Sequence, residues 1–435
     1  MSFKQRRSGS WVSRTPKRRV GNQWVPIGHP TAPVPDSTGG GSGYSWDQTW
    51  TDTSWLFDAD ANGDLEVIKV TTLDGSGSGS LERAVDTTDD PTLIVFEVGG
   101  VIDNSTSSHD TYIRVHDDNT FIAGQTAPYP GIAIIRGGPR IQSDNVIMSH
   151  VSCLSGNDVG SPNQSRAITL DADTNDILVD HCTAAWATDT NVSFRQNSNR
   201  QSFINGINAE SLNDSDHHEA PGHGYAVHQR TDNFQATYMG NIHMHHHKRN
   251  PVSKYPTSSM VFASNYVFNW GTRHYHGTSG DGADLDWIGN VSHDGPDTRS
   301  GYPIFKDGTA PTVYYKDHLI LNGDHPLGDS VNFVDEPLHL PPGLNEDDIV
   351  PASELESFLV EIAGARPAQR PPVEQRIVQD FSNRDGAIIN SFSDHPDYPN
   401  YDSVTRQLDP PSSNILDWLQ HYTDEVEHGT QNPLH

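Results

Sequence analysis

Six residues stand eight positions beyond the ends of successive short strands, and their types could do chemistry together: Asp158, Asp189, Asp214, Arg249, Arg273 and Thr298. Carboxylates gathered on one edge can hold a hard cation through oxygen. Guanidiniums beside them can grip an acidic group with paired N–H donors. A run of acids followed by bases therefore suits an acidic, metal-bridged ligand. The competing reading is solvated surface charge, because the turns that carry these residues differ in length and the chain is acidic.

The elements that must position them are the strands Val146–His150, Ile177–His181, Phe203–Gly206, Tyr238–Asn241, Phe262–Asn265, Trp287–Asn290 and Tyr315–His318. Each alternates apolar and polar residues and ends on His, Asn or Gly. Their ends are 31, 25, 35, 24, 25 and 28 residues apart. Such a period predicts a solenoid in which each coil lays one strand on the last. Stacked strands lie ~4.8 Å apart, so equal offsets form ladders. Leu93–Val98, Tyr112–Val115, Thr120–Ala123 and Ile132–Ile135 supply the first coils. Asn at the strand ends fits tight bends, with side chains that bond from coil to coil.

The 435 residues carry 57 acidic and 28 basic side chains, a net charge of −29, which disfavours nucleic-acid binding by the main body. Only seven of the bases are Lys, and an acidic, Lys-poor surface suits solubility in high salt, hence a halophilic host. Cys153 and Cys182 lie just past adjacent strand ends and read as buried free thiols, with a disulfide second. No apolar run is long enough for a membrane span, and no apolar stretch follows the N-terminal charges to make a secretion signal.

Four regions follow. Residues 1–45 form a basic arm (Lys4, Arg6, Arg7, Arg14, Lys17, Arg18, Arg19) spaced by Trp11 and Trp24 and ending in a Pro/Gly/Ser linker. Residues 46–335 are the solenoid, with Leu81–Val85 as a short capping helix. Residues 336–395 are a helical cap region, with a helix over Pro351–Val360 capped by Ser353 and a second at Val373–Phe381. Residues 396–435 are a polar tail with one more helix at Ile415–His421.

Six motifs occur in order: Leu93-Ile94-Val95-Phe96-Glu97-Val98-Gly99-Gly100, Gly124-Gln125-Thr126-Ala127-Pro128, Asp180-His181-Cys182-Thr183-Ala184-Ala185-Trp186, Arg249-Asn250-Pro251, Ser264-Asn265-Tyr266-Val267-Phe268-Asn269-Trp270-Gly271 and Ala363-Gly364-Ala365-Arg366-Pro367. Together they resemble the pectate lyase family of polysaccharide lyases. The resemblance implies an all-β, right-handed parallel β-helix and β-elimination of a uronate-rich polysaccharide assisted by calcium. By position Arg249 resembles the family's base, Lys254 its second substrate-gripping cation, and Asp189 part of its Asp-Glu pair. Asp158 and Asp214 are the further metal ligands expected beside Asp189. Arg273 and His223 are expected to contact substrate, and a His of the loop holding His217, His218 and His223 to protonate the leaving oxygen. His243, His245 and His247 are expected in the core or against substrate rather than on zinc.

The chain departs from the family's pattern at Asp189-Thr190, which lacks the second acid, and at Asn163-Gln164-Ser165-Arg166, which has no acids where calcium ligands are common. The arm suggests display on a particle. The reading is a virion spike or turret, anchored through other virion proteins and oligomeric as a trimer or pentamer, on a virus of a halophilic host. The alternatives are an extracellular lyase of a halophile and a glycan-binding spike without catalysis.

Overall fold

In the computed structural model the described residues are 43–86, 91–106, 112–156, 165–215, 217, 221–230, 232–254, 258–278, 283–306, 310–390, 394 and 398–430, with the backbone of four short strands ahead of them. Those four pair antiparallel as two hairpins, Phe3–Arg7 with Ser10–Arg14 and Lys17–Val20 with Gln23–Pro26. The body is a right-handed parallel β-helix of three sheets. Sheet A takes all seven strands of the sequence period, including Val146–Ser149, Asn175–Asp180, Ser198–Ile204 and Ala236–Met239. Sheet B takes the strand that follows in each coil, such as Val151–Leu154, Thr183–Ala185, Ile207–Ala209 and Ile242–Met244. Sheet C closes the coil with Arg166–Leu170, Thr190–Phe194, Tyr225–Gln229, Val252–Lys254 and Tyr275–Thr278.

The corner from sheet A to sheet B is one residue in the left-handed region, repeated coil after coil. His150, His181, Asn205, Gly240, Ser264, Gly289 and Asp317 have φ of 59°, 47°, 53°, 71°, 49°, 65° and 48°. A single left-handed residue turns the chain sharply, and Asn, Asp and Gly tolerate it best. Just past this corner an Asn ladder ties the coils. Asn241 Nδ2 donates to Asn265 Oδ1 at 2.9 Å, and the Asn265 backbone N–H donates to Asn290 Oδ1 at 2.8 Å.

Register follows from the corner. Asp180 pairs with Ile204 and Ile204 with Met239, so His181 aligns with Asn205 and not with Gly206. The strand ends counted along the sequence therefore slip by one residue at the third coil.

Sheet A is buried on both faces, which explains its near-continuous apolar runs. Val146, Met148, Ile177, Val179, Phe203, Tyr238 and Phe262 fill the interior, where Phe194 stacks on Tyr238 at 4.7 Å and Phe262 on Trp287 at 4.3 Å. Ile147, Leu178, Ile204 and Met239 point outward beneath Tyr44, Trp46, the helix Ser54–Asn62 and the C-terminal helix Ile415–His428. Helices Leu355–Ile362 and Pro372–Asn383 cover the outer face of sheet B, packing Leu359, Ile362, Ile377 and Phe381 on Ile242, Met244, Tyr266 and Phe268. The first of these helices starts at Leu355 with Glu354 as N-cap, so Ser353 does not cap it. The short helix Leu81–Ala84 is capped by Ser80, whose side chain accepts from the Arg83 backbone N–H. Cys153 and Cys182 are free and buried in the interior. No helix among the described residues is long and apolar enough to cross a membrane.

The two motif segments Gly124–Pro128 and Ala363–Pro367 meet, because the buried Arg366 donates from Nη1 to the Ala127 carbonyl at 3.1 Å. Beside them the C-terminal helix is held by charge. His150 Nε2 lies 3.2 Å from Glu427 Oε1, and His181 Nδ1 lies 2.8 Å from Asp180 Oδ1 and 3.7 Å from Glu427. Burial opposes the charge on His181, but Asp180 and Glu427 outweigh it and raise its pKa from 6.5 to about 9. A group whose pKa is raised on folding stabilises fully below its unfolded value and loses that stabilisation as pH climbs through the folded one. Stability should therefore fall by up to about 3 kcal/mol between roughly pH 6.5 and 9. Chemical denaturation at a series of pH values should show this loss, and His181→Gln should abolish its slope.

Candidate functional site

Sheets A and B carry apolar covers on their outer faces, and sheet C is where charge gathers. The turn entering Thr190–Phe194 is built first. Ser165 and Thr188 bond reciprocally, Ser165 N–H to Thr188 Oγ1 at 3.0 Å and Thr188 N–H to Ser165 Oγ at 2.9 Å. The Asp189 N–H donates to the Ser165 carbonyl at 3.0 Å. Behind this turn Trp186 Nε1 donates to Glu210 at 2.9 Å, and Arg376 clamps the same carboxylate with two N–H groups at 2.7 and 2.8 Å. The helix covering sheet B thus fixes the backbone that presents Asp189.

Asp189 is nearly buried and its oxygens are engaged. Arg166 pairs with Oδ2, while His223 Nε2 lies 3.1 Å and Thr190 Oγ1 3.2 Å from Oδ1. Burial works against the charge, but the His223 hydrogen bond and the Arg166 guanidinium outweigh it and hold the carboxyl well below the usual carboxylate range. His223 stacks on His217 at 3.4 Å and lies 4.0 Å from the Tyr225 ring.

The next coils bring cations. The Arg249 guanidinium lies 3.5 Å over the Tyr225 ring, close enough for cation–π attraction. Arg249 itself is left-handed, with φ of 64°, a conformation that is uncommon outside Gly. Lys248 Nζ donates to the Gly222 carbonyl at 3.1 Å, tying this coil to the long loop before it. Arg273 Nη1 lies 2.8 Å from His276 Nε2. Burial, and then the positive charges of Arg273, Arg249, Lys248 and Lys254, lower the His276 pKa to about 3. His228 is buried on the strand that lies between Thr190–Phe194 and Val252–Lys254. Desolvation, followed by Arg249 and Lys254, holds it well below its ordinary value, while Asp189 pulls the other way.

Thr190 pairs with Tyr225 and Val227 with Val192, so the strands of Asp189 and Arg249 are two coils apart, ~10 Å along the axis. Asp189, His223, Arg249, Lys254 and Arg273 are therefore brought onto one face. Asp214 is not in that row. It lies exposed within the loop between Ile207–Ala209 and Tyr225–Gln229, where its N–H donates to the Asn390 carbonyl at 3.1 Å. The register partner of Asp189 is instead near Gly224, because this loop is longer than its neighbours. Asp158 lies outside the described residues.

The metal expectation can be tested on the donors present. Calcium takes six to eight oxygen ligands. Among the described residues, the site's only group with ligand atoms within 4.8 Å of one another is Asp189, His217 and His223, one carboxylate with two imidazoles. Its carboxylate oxygens already serve Arg166, His223 and Thr190. These three described residues do not fit a calcium site. His243 and His246 are core residues: His243 stacks on Phe262 at 5.7 Å, and His246 bonds Ser211 at 2.6 Å and the Asn208 carbonyl at 2.9 Å.

Arg166, Tyr225, His228, Lys248 and His276 escaped the sequence reading. Arg166 had a signal, since it ends a segment noted for its missing acids and opens the strand Arg166–Leu170. His228 and His276 had only strand alternation to show them.

The fold is a pectate-lyase-like right-handed parallel β-helix. The chain is 30% identical over 273 residues to a probable pectate lyase C of Neosartorya fischeri, covering 62% of this chain and 59% of the relative. A probable pectate lyase C of Aspergillus fumigatus is 30% identical over 237 residues, 54% of this chain and 51% of the relative. The chain thus spans less than two thirds of the length of these curated relatives. No family model matches it. A pectate lyase of Bacillus sp. N165, solved in complex with trigalacturonate, shares the fold with a TM-score of 0.50 at 14% identity, covering 70% of this chain and 94% of that one.

Asp189→Asn should leave the Arg166 charge uncompensated and cost about 1–3 kcal/mol of stability. A lowered denaturation midpoint with an unchanged slope would register it, and a wild-type midpoint would show that the ion pair holds nothing together.

Proposed function

We propose that this chain binds a uronate-rich polysaccharide across sheet C and cleaves it by β-elimination. The observation that carries the reading is a run of cations on neighbouring coils of sheet C in a chain of net charge −29: Arg249 over the Tyr225 ring, Lys254 on the strand that pairs with Tyr275–Thr278, and Arg273 Nη1 2.8 Å from His276 Nε2. A protein so acidic repels polyanions in general, and a local cationic face selects the carboxylates that it admits. In this reading Lys254 and Arg273 hold the uronate carboxylate, which makes the neighbouring C5–H more acidic. Arg249, in its uncharged form, takes the C5 proton. The freed electron pair forms the C4–C5 double bond, the C4–oxygen bond breaks, and the departing oxygen takes a proton from water. Tyr225 fixes the plane of the base by stacking beneath it.

The finer reading concerns delivery. The basic arm of residues 1–45 is built for different surroundings than the acidic body, which supports anchoring on a particle as a virion spike or turret of a virus with a halophilic host. The arm would engage other virion proteins there, in a trimeric or pentameric assembly at the virion surface. Free extracellular action is the alternative, and a glycan-binding spike without catalysis is the third.

Incubation with oligogalacturonate or host surface glycan in high salt should release products that absorb through the new double bond. Arg249→Ala should lower kcat by about two to three orders of magnitude with the fold intact, and Lys254→Ala should chiefly raise KM. Binding without any unsaturated product would replace the lyase by the non-catalytic spike. Deleting residues 1–30 should release the protein from purified particles and leave glycan activity unchanged; full occupancy of the truncated chain would place the anchor elsewhere.

A further inference from the structure

Arg166 stands in a position that the proposed reaction has not used. It heads a strand of sheet C one coil before Asp189, and it pairs in register with Thr190, which pairs with Tyr225, the platform of Arg249. Arg166, Thr190 and Tyr225 thus form one row that leads to Arg249, over about three strand spacings of ~4.8 Å. The hydrogen bond to Asp189 takes one of its five N–H donors, and its buried Nε has no partner among the described residues.

The surroundings of Arg166 are cationic. The pKa of Arg195 is lowered to about 10 by burial and then by Arg166 and Arg230, against which Asp171 acts in the other direction. Asp171 is itself paired with Arg140 at 2.6 Å. The buried Nε of Arg195 is also without a partner among the described residues. Thr169, Ser193 and His228 stack in register on three successive strands, and the Thr169 and Ser193 hydroxyls and both His228 ring nitrogens likewise lack partners. Cations and polar groups are assembled here beyond what the acids among the described residues satisfy. A divalent metal beside Asp189 would have to displace Arg166 and His223 from its oxygens and sit against a fixed guanidinium.

We propose that Arg166 supplies the positive charge facing a uronate carboxylate at this end of sheet C, in the place beside Asp189 that a divalent cation would take, so that the chain grips polyuronate without a metal. The proposal rests on the uronate reading for its ligand but not for its statement about calcium, and the two are tested separately.

Calorimetric titration of the full chain with calcium alone should show no binding that is lost in Asp189→Asn. Titration with trigalacturonate should give the same Kd within about twofold with and without chelator. Arg166→Gln should weaken that binding about tenfold or more, and Arg166→Lys should restore part of it, with melting temperatures reported for each variant to separate unfolding from lost contact. Stoichiometric calcium binding that disappears in Asp189→Asn would overturn the proposal whether or not trigalacturonate binds. So would a tenfold loss of trigalacturonate affinity on chelation, or wild-type affinity in a folded Arg166→Gln. A wild-type chain that binds no uronate at all removes the uronate ligand, and with it the stated role of Arg166.

Discussion

A one-residue corner governs this molecule. From Val146–Ser149 onward each passage from sheet A to sheet B turns on a single left-handed residue, so the strands on either side cannot shift without breaking the turn. Parallel stacking then repeats every ~4.8 Å with side chains in line, and the Asn ladder beyond the corner satisfies backbone and amide groups that burial would otherwise strand. Because that corner has constant length, all variation in coil length is pushed elsewhere, chiefly into the loops from sheet B to sheet C. The long loop between Ile207–Ala209 and Tyr225–Gln229 is the clearest case, and it delivers His217 and His223 onto Asp189.

Two of the three outer faces are removed from water by the chain's own appendages. The segment at Tyr44–Trp46 and the C-terminal helix cover sheet A, and two helices cover sheet B. This leaves the third face as the one where charged side chains gather. The covers also do local work there: Arg376 on a sheet B helix clamps Glu210, and Glu210 holds Trp186 in the turn before Asp189. Site geometry is thus inherited from packing on another face.

The electrostatics of sheet C run against those of the whole chain. Two like charges ~5 Å apart repel by about 3 kcal/mol at an effective dielectric near 20, and cations held near one another by a fold bear part of such a cost. Burial first, and neighbouring cations after it, lower the pKa values of His276, His228, Lys248 and Arg195. An anionic ligand relieves that repulsion on contact. In concentrated salt the Debye length shrinks to ~3 Å, so distant attraction is lost and only direct contacts of this kind remain effective.

By itself the sequence determined the coil period, the composition of sheet A and the burial of both cysteines, because a strand with two buried faces must read as repeated apolar runs. It also marked Arg249-Asn250-Pro251 and Asp189 as residues of interest. Tertiary structure alone decided who meets whom. Counting along the chain placed Asp214 in the row of Asp189, since a fixed offset cannot know that one loop is longer than the next. Register placed Gly224 and Tyr225 there instead, and set Arg166 against Asp189 from the preceding coil. Contacts between coils join residues more than twenty positions apart, and their partners depend on the summed lengths of corners and loops between them. Residue type can show that a carboxylate is present; only the closed coil shows that a guanidinium already holds it.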